Sequence, residues 1–357
     1  MKKIIFDVGH PAQVHNFKHV YWELNKKGWK GLFTAKDKEV TISLLKKYDL
    51  PYVIIGKLSK NIFSKFFKLL TIIIKFLKVL TNFKPDIIVC RFSPHATWCS
   101  RLLGIPIIGL ADTEHTRFLD FFTVPLANAK LTGKSYEKDL GKDHLRFDGN
   151  IELFYLHPNR YKIPEKKIPE LNLLPDQNYA LLRFVSWSAY HDISESGISI
   201  EDKINLVRLL EKRYKVFISS EGKLPTELIK YKINISPERM HDVLAHATLY
   251  IGEGASMASE AACLGVPSFY VNTLNVGYVN EEERFGLVKK SIRSDEIFQA
   301  LQESMLNSNL KKRTFENREE FLSEKIDPTA FLVWFIENWP ESLRIMKEDP
   351  GYQERFK

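Results

Sequence analysis

Cysteine is scarce in this chain. Three residues, Cys90, Cys99 and Cys263, are scattered over 357 positions with no C-x-x-C spacing. So sparse and odd a set excludes a disulfide scaffold and reads as buried thiols in a reducing cytoplasm. Long apolar runs are missing too. The longest charge-free stretch, residues 261–280, is broken by Gly265, Pro267, Gly277 and three asparagines, so no transmembrane helix is expected. Met1-Lys2-Lys3 leads into Ile4-Ile5-Phe6, too short for the apolar core of a secretory signal, and no small-residue cleavage site follows. Acidic residues fall short of basic ones: 44 Asp and Glu against 52 Lys and Arg give a formal net charge of +8. That surplus suits an acidic partner, whether nucleic acid, anionic membrane or phosphorylated ligand. The remaining composition, 44% hydrophobic and 27% charged, excludes wholesale disorder and a collagen-like fibre. The length suggests two domains.

Short buried-strand patterns alternate with helical ones. Ile4 to Val8 is an apolar run ending in Gly9-His10-Pro11. His15 to Lys27 has helical spacing, with Phe17, Val20, Tyr21 and Leu24 on one face and Gly28 as its stop. Lys30 to Thr34, Tyr52 to Ile55, Ile87 to Cys90 and Ile105 to Leu110 read as further strands. Such alternation indicates an α/β fold with a parallel sheet. The stretch from His157 to Asn178 holds Pro158, Pro164, Pro169 and Pro175 and reads as a linker. Strands and helices then resume: Tyr179 to Val185, a helix through Leu210, Val216 to Ser219, a helix near Met240 to Ala247, and Leu249 to Ile251. A mainly helical tail follows Pro328.

One unit recurs. Asp86-Ile-Ile-Val-Cys-Arg91 leads through a helix to Leu103-Gly-Ile-Pro106, and Thr248-Leu-Tyr-Ile-Gly252 leads through a helix to Leu264-Gly-Val-Pro267. The recurrence predicts two Rossmann-like domains, with ligands beyond the carboxyl ends of the strands in a central cleft. The copies differ after the strand. The first has Arg91-Phe92-Ser93-Pro94; the second has Gly252-Glu253-Gly254-Ala255-Ser256, then Met257-Ala258-Ser259-Glu260. Small residues let a ligand approach the backbone. The N–H groups opening the next helix suit a diphosphate. Glu260, about one turn into that helix, can accept from a vicinal diol such as ribose.

The segment Gly252 to Pro267 resembles the donor-nucleotide motif of GT-B glycosyltransferases. It is similar there to the peptidoglycan N-acetylglucosaminyltransferase and to the UDP-N-acetylglucosamine 2-epimerases. Over nearly its whole length the chain resembles the DUF354 family of predicted glycosyltransferases. The resemblance includes Gly9-His-Pro-Ala-Gln-Val-His-Asn-Phe-Lys18, Asp112-Thr-Glu-His115 and Arg183-Phe-Val-Ser-Trp-Ser-Ala-Tyr-His-Asp192. It implies a GT-B fold, with the donor nucleotide on the C-terminal domain, Glu260 at the ribose and the Gly252–Ser256 loop at the diphosphate.

Several residues are candidates for the chemistry. His15 is expected at the start of the first helix, where the helix end keeps a ring neutral and able to take a proton; His10 competes with it. Asp112, Glu114 and His115 should follow a strand, where carboxylates can act as base or hold acceptor hydroxyls. Glu114 also matches a catalytic Glu of the 2-epimerases, although this chain has Arg91-Phe92-Ser93 where those enzymes carry Gly-Asp-Thr. Arg183 could neutralise a leaving diphosphate, with Ser186, Trp187, His191 and Asp192 in the loop beyond. His15 and His19 are four apart, but no third ligand is evident and no metal or cofactor is expected.

Residues 57–84 hold seven lysines and no acid. Lys65, Lys68, Thr71, Lys75 and Lys78 form one helical stripe beside Phe63, Phe66, Phe67 and many aliphatic residues. Such a helix can cover a sheet, or lie on an anionic membrane surface. No nucleic-acid motif appears. The expectation is an acceptor domain at 1–160, a nucleotide-sugar donor domain at 161–335 and a helical tail at 336–357. The activity implied is transfer of a sugar, UDP-linked by preference, to a hydroxyl of a cell-envelope glycan or lipid-linked oligosaccharide. The protein would work in the cytoplasm, with the inner face of the membrane as a peripheral site. His15, Asp112 or Glu114 would serve as base, and His10 and His115 would lie on the acceptor side. The alternatives are a 2-epimerase and a non-catalytic nucleotide-sugar or glycan-binding protein.

Overall fold

The computed structural model describes residues 1–57, 62–114, 121–174, 176–185 and 198–357, with backbone only at 62–67 and 294. Two compact units divide the chain: Met1–Arg160 together with Lys325–Lys357, and Tyr161–Glu324.

The first unit begins β1 (Lys3–Val8), α1 (Pro11–Lys26), β2 (Lys30–Asp37), α2 (Thr41–Lys47), β3 (Tyr52–Lys57) and α3 (Ile62–Phe83). It continues β4 (Ile87–Cys90), α4 (Pro94–Leu103), β5 (Ile107–Ala111), β6 (Ala129–Gly133), β7 (His144–Phe147) and α5 (Leu153–Leu156). All seven strands run parallel in the order β3-β2-β1-β4-β5-β6-β7. The strands are apolar on both faces because helices cover both; β4 is buried at every residue.

Helix α1 starts earlier than the expected His15. Pro11 takes its first position, where a missing N–H costs nothing, and His10 caps it, Nδ1 accepting from Ala12 N at 3.3 Å. Gln13 Oε1 accepts from Gly9 N at 2.6 Å, close to a reciprocal capping box.

The second unit holds β8 (Tyr179–Phe184), α6 (Ile200–Leu210), β9 (Lys215–Ser220), α7 (Met240–His246), β10 (Leu249–Gly252), α8 (Ala255–Cys263) and β11 (Ser268–Val271). It ends with α9 (Gly277–Arg284), β12 (Val288–Ser291), α10 (Ser294–Leu306) and α11 (Leu310–Ser323). Its five parallel strands lie in the order β12-β11-β10-β8-β9, around a core that includes Leu182, Ile218, Ile251 and Leu301. The recurring unit is real in three dimensions. β4-α4-β5 and β10-α8-β11 are both right-sized parallel crossovers, and Gly104 (φ 68°) and Gly265 (φ 73°) make the same left-handed exit from the helix.

The proline-rich stretch packs rather than spans: Ile168 and Leu171 are buried, and Tyr161 donates to Asp242 Oδ1 at 2.8 Å. The tail also departs from expectation. The second unit ends at Glu324, not at 335, because α12 (Pro328–Glu337) and α13 (Glu341–Glu348) belong to the first. Asp327 caps α12 and pairs with Arg160 at 2.7 Å. Thr329 donates to the Phe154 carbonyl at 2.7 Å, and Phe331 lies against Phe147. A helix as apolar as α12 needs a second surface to cover it, and α1, α5 and Phe147 of the first unit supply one.

Candidate active site

In an open parallel sheet, ligand crevices form where the strand order reverses. In the second unit that is between β8 and β10. Here β10 ends in Gly252 and runs through Glu253 and Gly254 into α8. A side chain at 252 would place its Cβ 2.0 Å from the Tyr250 hydroxyl, so the Tyr250 ring can lie across this strand end only with glycine there. Gly254 is the N-cap and has no side chain to satisfy the first N–H groups of α8; Gly254, Ala255 and Ser256 all reach the surface. Such a loop, at the positive end of a nine-residue helix, can receive an anion.

Glu260 lies one turn in, and its Oε1 meets His241 Nε2 at 3.2 Å. Arg183, at the end of β8, donates to Ser219 Oγ at 2.6 Å and to Glu221 Oε1 at 2.7 Å. Its guanidinium is therefore already engaged by the end of β9.

Glu253 is a feature the sequence did not reveal. It is 1% exposed. Its Oε2 accepts from Val185 N at 3.0 Å, its Oε1 accepts from Ile198 N at 2.8 Å, and Lys203 Nζ stands 3.2 Å away. Its own carbonyl accepts from Asn272 at 2.7 Å. This carboxylate faces inward and fastens the loop between β10 and α8 to the end of β8. Ser186, Trp187, His191 and Asp192 lie outside the described residues.

In the first unit the order reverses between β1 and β4. Asp7 is buried there, accepting from Thr34 Oγ1 at 2.7 Å and Ser93 Oγ at 2.5 Å, with His95 Nε2 at 3.0 Å. Burial alone would raise its pKa; His95, Lys36 and the Ser93 bond outweigh that and bring it to about 2. Asp7 thus stays ionised and ties together β1, β2 and the start of α4. Nothing in its local sequence pointed to this, since its partners lie 27 to 88 residues away.

Asp112 follows β5 directly. Its Oδ1 pairs with Arg91 and accepts from Thr113 Oγ1 at 2.8 Å. Glu114 is buried and accepts from Glu137 N at 3.3 Å. His115 lies outside the described residues. His10 keeps an exposed edge while protein crowds the rest of its ring. Loss of solvent, then the cations Lys38 and Arg91, hold its pKa down at about 4 against Glu39 and Asp112. Because Nδ1 accepts from Ala12, the neutral ring carries its proton on Nε2. His15 sits in the second turn of α1, 7% exposed, with Tyr48 OH 3.4 Å from Nδ1 and Tyr155 against its face. The first unit therefore groups His10, Arg91 and Asp112 through their charges and buries His15 in an aromatic setting. Among the described residues, no group of three His, Cys, Asp or Glu side chains is placed to hold a metal, and no helix is long and apolar enough to cross a membrane.

Comparison with known proteins agrees with this architecture. An uncharacterized protein of Methanocaldococcus jannaschii, MJ0665, is 22% identical over 275 residues, covering 73% of this chain and 79% of its own. Among solved structures, the UDP-GlcNAc 2-epimerase from Neisseria meningitidis bound to UDP-GlcNAc superposes with a TM-score of 0.63 at 13% identity, over 93% of this chain and 98% of its own. The spinosyn rhamnosyltransferase SpnG, complexed with spinosyn aglycone, gives 0.64 at 12% identity, over 95% and 100%. With two parallel Rossmann-like sheets in one chain, these likenesses establish a GT-B fold. The family model described as a protein of unknown function, DUF354, matches residues 2–328, and the chain belongs to that family.

Proposed function

We propose that the protein is a glycosyltransferase that moves a sugar from a nucleotide diphosphate sugar to an acceptor hydroxyl. The carrying observation is the uncapped N-terminus of α8 at the switch point of the second sheet, with Glu260 one turn further on. The Gly252–Ser256 loop would hold the diphosphate and Glu260 the ribose diol, its carboxylate steadied by His241. Arg183 adds positive charge, shared with Glu221. The first unit supplies the acceptor-side groups. Among the described residues Arg91 and Thr113 both bond Asp112 at Oδ1, leaving Oδ2 to take a proton. As the acceptor oxygen bonds to the anomeric carbon, its proton passes to Asp112. The bond from that carbon to the diphosphate breaks, and the electron pair leaves with the diphosphate, met by the N–H groups of α8. His10, with its proton on Nε2, would donate to and orient the acceptor rather than deprotonate it. A UDP-linked sugar is the preferred donor, as the neighbouring epimerase is bound to UDP-GlcNAc. A cell-envelope glycan or lipid-linked oligosaccharide is the preferred acceptor.

Glu114, a buried carboxylate just beyond β5, favours a second reading: epimerisation of the donor sugar at C2. The two separate cleanly, because an epimerase converts UDP-GlcNAc with no acceptor present.

The test begins with nucleotide binding. Thermal-shift titration with UDP, GDP, CDP, ADP, dTDP and CMP should raise the melting temperature with one of them, by about 2.7 kcal/mol of stabilisation at a hundred times Kd. Glu260→Ala should abolish that shift. No shift with any nucleotide refutes the donor site. A shift with no turnover of the matching sugar nucleotide, with or without acceptors, leaves a binding protein in place of an enzyme.

A further inference from the structure

β3 is the outer strand of the first sheet, and α3 packs along it. An open groove of about 420 Å³ lies between them, floored by Leu32, Val53, Ile54 and Phe83 and rimmed by Lys75 and Lys78. Val53 and Ile54 remain 39% and 41% exposed. The helix presents more apolar surface than the sheet covers. Ile72, Phe76 and Leu80, each four apart, form the buried stripe. Leu70 and Ile74 face away from it, 44% and 67% exposed. On the helix surface the exposed Lys68, Lys75 and Lys78 run between Leu70 and Ile74 on one side and the groove on the other. Residues 57–84 contain no acid to neutralise them.

An exposed apolar surface divided by a row of lysines matches the layering of an anionic bilayer, with phosphates meeting the cations and acyl chains meeting the apolar residues. We propose that α3 and β3 form a docking surface for an anionic lipid membrane. Soluble polyanions match the lysines but not Leu70, Ile74 or the groove floor. The groove lies beside the last turns of α3 and the amino-terminal half of β2, whereas His10 and Asp112 stand at the carboxyl ends of their strands. Docking would therefore leave those residues uncovered. It does not depend on which reaction the protein performs.

The test is vesicle co-sedimentation of the full chain, using phosphatidylcholine alone and phosphatidylcholine mixed with phosphatidylglycerol. The protein should pellet with the mixed vesicles only. Each lysine near the surface is worth about five-fold in affinity, so Lys75→Glu/Lys78→Glu should weaken binding by at least about 25-fold. Ile74→Ser should weaken it separately, because a solvent-exposed isoleucine has no other work there. All these side chains are exposed, so melting temperature and nucleotide-induced shifts should match the wild type. The proposal is overturned by absent binding, by equal binding to both vesicle types, or by an unchanged Lys75→Glu/Lys78→Glu variant. It is also overturned if Ile74→Ser binds as the wild type does, since the contact would then be electrostatic alone. A missing nucleotide shift with intact vesicle binding would instead refute the donor site.

Discussion

Glu253→Gln isolates the chemistry of the buried carboxylate without changing its size. The native side chain accepts two backbone N–H bonds, from Val185 and Ile198, and faces the Lys203 ammonium. A glutamine amide has one acceptor and one donor end. One of the two N–H groups would therefore confront an NH2 and lose its partner, a penalty of about 1–3 kcal/mol. The surviving bond falls from a charge-assisted to a neutral one, costing about 1 kcal/mol more. Lys203, only 13% exposed at its side chain, loses its counter-ion. About 3 kcal/mol in total is expected, which lowers the melting temperature of a unit this size by about 6–12 °C. Differential scanning calorimetry reads the shift. Amide hydrogen exchange at Val185 and Ile198 locates it, because both should exchange faster while the amides of β1 in the first unit do not. A variant melting within about 1 °C of wild type, with both amides still protected, would show that the carboxylate is not the fastener described here.

Gly252→Ala should destabilise by about 1–3 kcal/mol through overpacking against the Tyr250 hydroxyl, while Tyr250→Phe alone should be nearly neutral because that hydroxyl has no partner among the described residues. Tyr250→Phe should also recover part of the loss in the double variant; urea denaturation of all three checks both points. The His10 ring should titrate near pH 4 by NMR and stay neutral at pH 6; a midpoint near 6.5 would show that neither burial nor the cations Lys38 and Arg91 depress it. Asp7, at about 2 against the usual 3.8, contributes about 2 kcal/mol that is complete above pH 4 and lost as pH falls from 4 towards 2. Asp7→Asn should accordingly flatten the acid limb of the stability curve in that window. Asp112→Asn should lower transfer by about 10²–10⁴-fold while leaving the nucleotide-induced thermal shift intact.

Much of the fold was legible because parallel strands announce themselves locally. Ile4–Val8, Ile87–Cys90 and Leu249–Gly252 are short apolar runs bounded by glycine or proline, and Gly104 and Gly265 mark equal helix exits. Strands β6 and β12 were not legible. Ala129-Lys-Leu-Thr-Gly133 and Val288-Lys-Lys-Ser291 hold few apolar residues, and their place comes from the neighbouring strand they hydrogen-bond. Lys130 is buried in β6 because its ammonium reaches the Lys142 carbonyl, a partner that no local pattern predicts. The same holds for the tail: α12 is plainly apolar, but its sequence does not say which unit it will cover.

The candidate site divides along the same line, between groups whose meaning is local and groups whose meaning depends on burial. Glycines 252 and 254 and the start of α8 were readable, since a strand, a small-residue loop and a helix are consecutive. Glu253 and Asp7 were not, although each stands at the end of a strand that borders a switch point. A carboxylate there can face a ligand or face inward, and spacing alone does not distinguish the two. Three-dimensional placement does: both are almost wholly buried and each spends its oxygens on neighbouring segments, Asp7 on Thr34, Ser93 and His95, Glu253 on Val185 and Ile198. They border opposite sides of their switch points, Asp7 in β1 and Glu253 beyond β10, yet their effect is alike. Each ties neighbouring segments together beside the residues that keep some access to solvent: His10 and Asp112 in the first unit, Gly254 to Ser256 and Glu260 in the second. Substitutions at the inner carboxylates should therefore act first on stability and only through it on ligand binding, whereas substitutions at the outer residues should do the reverse.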